Sequence, residues 1–84
     1  MKVVVLEEGA DLDALSSAYG VLLLYEDACL LKPSLLSRRA SEVFKRFKEK
    51  FRILDNLPDS FDLVLVDSHN VEDYKLPGIK DVYI

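Results

Sequence analysis

The 84 residues predict a single three-layer α/β domain, 1–84, with a mainly parallel sheet of four or five strands and helices on both faces. Three observations carry this. Residues 3–6 and 61–66 are apolar at nearly every position, without the alternation of a half-exposed strand, which is the pattern of strands covered on both sides. The segments 12–26 and 37–51 carry apolar residues at helical spacing instead. Acids follow both apolar runs, so carboxylates fall at the carboxyl ends of strands, where open parallel sheets bind ligands.

The first strand, 3–6, leads through Glu7-Glu-Gly-Ala into a helix predicted over 12–26. Its apolar positions Leu15, Tyr19, Leu22 and Leu23 follow Leu12 at spacings of three, seven, ten and eleven, which puts them on one side. Gly20 weakens this helix slightly, and close packing on the sheet would explain it. Residues 28–31 read as a second strand, with Cys29 buried in it, and Lys32-Pro33-Ser34 as the turn after it. Ser37 is the expected N-cap of the clearest helix, over 37–51, where Ala40, Val43, Phe44, Phe47 and Phe51 repeat at i, i+3, i+4, i+7 and i+11. Residues 51–54 suit a short third strand, 55–60 a loop, and 61–66 a buried strand ending at Asp67. After a polar segment over 71–80, with Pro77-Gly78 as its turn, residues 81–84 begin another parallel strand.

Half the residues are hydrophobic, enough for one small core that leans on a partner for part of its burial. One Cys and one His cannot build a zinc site or a disulfide, and the first apolar run is far too short for a signal peptide or a membrane span. These features predict a cytoplasmic protein. The net charge of −4 conceals a segregation. Residues 1–31 set Lys2 against six acids, 32–52 set eight Lys/Arg against Glu42 and Glu49, and 53–84 set two Lys against seven acids. Acidic ends therefore flank a basic middle.

Most of those cations lie on the helix over 37–51. Arg38, Arg39, Lys45, Arg46, Lys48 and Lys50 form either a solvated face, with Glu42 pairing to Lys45 and Arg46, or a surface that attracts the phosphates of a nucleotide or RNA, with Arg38, Arg39, Lys45 and Arg46 as the candidate phosphate ligands. Asp11 and Asp13 bracket the start of the first helix. An acid there is first of all an N-cap and a match to the helix dipole, which one residue suffices to supply. If the first and fourth strands are neighbours, Asp11, Asp13 and Asp67 converge at one sheet edge and repel unless a cation intervenes. Hard Mn²⁺ or Mg²⁺ suits such oxygen donors, and a metal pair can clamp phosphodiester oxygens and activate water. His69, two residues past Asp67, is a candidate proton carrier or ligand, and otherwise a solvated loop histidine.

The run Glu7-Glu-Gly-Ala-Asp11-Leu-Asp13-Ala-Leu-Ser16-Ser17-Ala18 resembles the first motif of the DHH-family phosphoesterases, written His-x-Asn-x-Asp-x-Asp-Ala and followed by small residues. It is most similar to the form in DHH modules associated with A-adding tRNA nucleotidyltransferases or poly(A) polymerases, where Gly-Ala also precedes Asp-Leu-Asp-Ala-Leu. Val64-Leu-Val66-Asp67 resembles the second motif, an acid closing a hydrophobic strand. The resemblance implies the N-terminal part of a DHH domain, with metal ligands at Asp11, Asp13 and Asp67. Glu7 stands where the family has its leading His, a change that keeps an oxygen donor. The Asp-His-His motif that names the family would follow residues 82–84, so these residues are expected to be inactive alone. Two functions fit. One is a divalent-metal phosphoesterase part completed by a second chain. The other is a non-catalytic module that dimerises along its last strand or docks on a partner.

Overall fold

The computed structural model describes residues 1–66 and the backbone of 79–83. In chain order the elements are β1 (Lys2–Val5), α1 (Leu12–Leu24), β2 (Ala28–Leu31), α2 (Arg38–Phe47) running into a 3-10 turn (Lys48–Lys50), β3 (Ile53–Leu54), β4 (Phe61–Leu65) and β5 (Ile79–Tyr83). They form one five-stranded sheet in the order β3-β2-β1-β4-β5, and every neighbouring pair is parallel. The predicted α/β class is therefore the observed one. Both helices end a little early: α1 stops two residues short, and α2 tightens to 3-10 geometry over its last turn.

The sheet order follows from the connections. Strand, helix and strand advance from β1 through α1 to β2, then through α2 to β3, always toward the same edge. The next link has only the residues 55–60 with which to return past β2 and β1. That path is about 14 Å across three strand spacings and about 13 Å down the strands. Six residues span it only when nearly extended, since the chain advances at most about 3.5 Å per residue. No helix fits in such a link.

The two faces consequently differ. Val4, Leu30, Ala28 and Val64 pack against Leu15, Ala18 and Leu22 of α1 and Ala40 of α2 in one cluster. Val3, Phe61, Leu63 and Leu65 form the core of the other face, where Leu57 of the extended link packs on them. Among the described residues both helices, α1 and α2, pack on one face. The reason is the uniform direction of the first two crossovers, combined with right-handed connection.

Two sequence expectations for α1 change. Its buried residues are Ala14, Leu15, Ala18 and Leu22, while Leu23 is 69% exposed and Tyr19 half-buried against Phe51 at 5.3 Å between ring centroids. The small Ala14 and Ala18 bring the helix close to the sheet and rotate the stripe away from Leu23. Gly20 is not explained by close packing, because a Cβ placed there would meet nothing within 4 Å among the described residues. Cys29, expected to be buried, is half-buried and free.

Candidate functional site at the sheet switch point

β1 and β4 lie side by side with Val5 opposite Leu65, and chain connections leave them toward opposite edges. Open parallel sheets bind ligands at such a point of reversal, beyond the strands' carboxyl ends. A crevice of about 150 Å³ opens there, lined by Glu7, Glu8, Gly9, Ala10, Asp11, Ala14 and Val66.

The crevice is shaped by backbone. The Ala10 N–H donates to the Glu7 carbonyl at 3.1 Å, closing a four-residue turn in which Gly9 takes φ 75. That left-handed geometry costs other residues steric energy and suits glycine. The turn is then held from the side by the segment before α2. The Gly9 N–H donates to the Leu35 carbonyl at 3.1 Å, the Ser37 N–H donates to the Ala10 carbonyl at 2.8 Å, and Ala10 and Leu36 form a parallel bridge. The starts of α1 and α2 are thereby tied together at the crevice.

Asp11 plays two parts. Its Oδ1 accepts from the Ala14 N–H at 2.9 Å, making it the N-cap of α1. The second carboxylate oxygen remains available to a ligand. Asp13 lies in the first turn of α1, exposed and outside the crevice lining, where it complements the helix dipole. Glu7 and Asp11 are therefore brought together and Asp13 is not. Glu8, Gly9 and Val66 complete the lining, and the sequence reading gave them no role. Their place depends on the turn and on the register of β4. Asp67 and His69 lie outside the described residues.

Among the described residues Glu7, Glu8 and Asp11 line the crevice and no Lys or Arg does. Their donor chemistry is all oxygen, which fits Mn²⁺ or Mg²⁺ and not a soft metal. Among the described residues no three His, Cys, Asp or Glu side chains converge closely enough to form a metal site by themselves.

Arg38, Arg39, Lys45 and Arg46 are all exposed on α2. Glu42 pairs with Arg38 Nε at 3.8 Å instead of with Lys45 or Arg46, and both partners are largely solvated, so the pair contributes little. A larger groove of about 310 Å³ runs between α1 and α2 past Leu15, Tyr19, Val43, Phe47 and Phe51. It is apolar and lies on the helix side, away from the carboxylates. Among the described residues no helix is long and apolar enough to cross a membrane.

These features define an open parallel α/β domain with an acidic crevice at its switch point. Over 68 residues, 81% of the chain, the sequence is 66% identical to the A-adding tRNA nucleotidyltransferase of Aquifex aeolicus (strain VF5). The chain is thus related to a segment of that enzyme, and the matched part covers 8% of the enzyme's length. No family model matches the chain, and no solved structure does.

Proposed function

We propose that this chain is a DHH-type phosphoesterase-like module of a cytoplasmic, tRNA-processing protein related to A-adding tRNA nucleotidyltransferases. Its crevice holds Mn²⁺ or Mg²⁺ through Asp11 and Asp67, with Glu7 as a further oxygen donor and His69 as proton carrier, while Asp13 stays outside it at the start of α1. The substrate class is a nucleotide or RNA phosphodiester. The observation that supports this most directly is the pairing of β1 with β4, because it brings Val66, the residue before Asp67, to the crevice that Glu7, Glu8 and Asp11 line. A bound divalent ion supplies positive charge to phosphate oxygens and lowers the pKa of water. The chain's own residues supply the oxygen donors and the rigid turn at Gly9. Manganese titration followed by EPR or calorimetry tests the reading. Micromolar binding abolished by both Asp11→Asn and Asp67→Asn is expected. Binding no tighter than millimolar and indifferent to both substitutions overturns it.

A second reading has its own observation. β5 pairs with β4 on one side only, and no described strand covers its other edge. An open parallel edge is a template for a strand from a second copy or another chain. Sedimentation of the chain as a dimer, without metal affinity, would favour this docking role.

A further inference from the structure

We propose that the outer face of α2 is a docking track for the phosphate backbone of single-stranded nucleic acid, leading to the switch-point crevice. Arg38, Arg39, Lys45 and Arg46 stand at i, i+1, i+7 and i+8, on one side of the helix, and all four are exposed. The opposite side, with Ala40, Val43 and Phe44, packs on the core. The basic face is therefore rigidly presented and cannot turn inward. Its span from residue 38 to 46 is about 12 Å at the helical rise, long enough for successive phosphates of one strand.

Internal uses do not account for these cations. Within the face, Glu42 is the sole acid, and its pair with Arg38 at 3.8 Å is solvated. Arg38 and Arg39 occupy the first turn of α2, where the helix dipole disfavours cations, and that turn holds no acid. A local choice that opposes the helix's own preference is expected where a surface serves a ligand. Arg52 shows the contrast, since its guanidinium is spent on three backbone carbonyls.

Position adds direction to the charge. The Ser37 N–H bond to the Ala10 carbonyl and the Ala10–Leu36 bridge fix the Arg38 end of the track beside the turn that lines the crevice. The track thus starts next in sequence to the segment that the crevice turn is bonded to, an arrangement that holds a strand by its phosphates while its end meets the acidic site. This inference rests on the phosphoesterase reading only for the role of the crevice, because the docking itself needs no metal.

The test is fluorescence anisotropy with a labelled 12-nucleotide single-stranded RNA in EDTA, comparing wild type, Arg38→Glu/Arg39→Glu and Lys48→Glu/Lys50→Glu. The two variants change net charge equally, but Lys48 and Lys50 lie in the 3-10 turn after α2, past Arg46, and Lys50 turns to the Phe47 ring and the apolar groove. Four phosphate contacts on a single strand predict a wild-type affinity loss of about 50-fold between 50 and 200 mM salt. Removing two contacts predicts a loss of about sevenfold over the same range, with weaker binding at 50 mM. The Lys48/Lys50 variant should keep the wild-type salt slope. Equal losses in both variants, a salt-independent affinity, or no wild-type binding at 50 mM overturns the proposal. Since metal is absent throughout, failure here is distinct from failure of manganese to bind the crevice.

Discussion

Arg52 Nη2 donates to the carbonyl oxygen of Leu22 at 2.5 Å, so the end of α1 is closed by a residue thirty positions later. The same nitrogen reaches the Tyr25 carbonyl at 2.9 Å, and Nε donates to the Ala28 carbonyl of β2 at 2.8 Å. The last turn of α1 has no basic residue of its own, so Arg52 both satisfies orphan carbonyls and places a cation at the negative helix end. Replacing it with Ala should cost about 2 kcal/mol, the lower part of the range for charged hydrogen bonds because the site is partly solvated. Arg52→Lys should recover less than half, since an ammonium lacks the planar fork that spans three acceptors. Urea denaturation of the three proteins measures this, and equal midpoints for wild type and Arg52→Ala would refute the capping role.

Leu22 and Leu23 are neighbours with opposite fates, 3% and 69% exposed. Leu22→Ala removes a side chain from the cluster with Leu15 and Leu30 and should destabilise by about 2–5 kcal/mol. Leu23→Ala should stay within about 0.5 kcal/mol. Comparable losses in both would mean that α1 sits on the sheet in a different rotation.

This pair marks how far the sequence could be read. Residues with a strong local signature were legible: the mostly apolar runs of β1 and β4, an Asp N-cap on α1 that Asp11 supplies, the N-cap Ser37, and the amphipathic α2. Spacing alone admitted Leu23 into the buried stripe, because Ala14 and Ala18 are weak hydrophobic markers yet decide how closely the helix approaches. The placement of both helices on one face was illegible, since it depends on β2 and β3 being added toward the same sheet edge and no local pattern records that. Arg52 counted as part of a basic segment, although its charge is turned toward carbonyls from three positions distant in sequence. The acidic crevice was half legible: acids after strands were visible, whereas Gly9's turn and the lining by Val66 needed the register of β1 against β4.

The glycines give opposite expectations. Gly20 is inside α1 with open space at its Cβ position, so Gly20→Ala should stabilise by about 0.5–1 kcal/mol through helix propensity. Gly9 also has room, but its φ of 75 is left-handed, so Gly9→Ala should destabilise by about 1–2 kcal/mol without any clash. For a domain of this size each kcal/mol moves the thermal midpoint by about 4–8 °C, which calorimetry resolves. A lower midpoint for Gly20→Ala would mean that something packs against that side of α1.

Asp11 separates structure from chemistry in a single position. As the N-cap of α1 it accepts from the Ala14 N–H, a role that Asn fills about as well and Ala does not. Asp11→Asn should therefore change stability by only a few tenths of a kcal/mol, while Asp11→Ala should cost about 1 kcal/mol. Metal affinity depends on charge and not on capping, so both substitutions should weaken manganese binding to the same degree, because each removes one anionic oxygen donor. Measuring denaturation and manganese titration on both variants yields a two-by-two outcome. If Asp11→Asn retained both stability and affinity, the carboxylate would be a cap alone, and the crevice's charge would have to act through Glu7 and Glu8. If Asp11→Asn lost stability as heavily as Asp11→Ala, the charge of Asp11 would matter more to the fold than its hydrogen bond, through the dipole of α1. The expected result, stability kept and metal lost, assigns the second oxygen of Asp11 to a ligand.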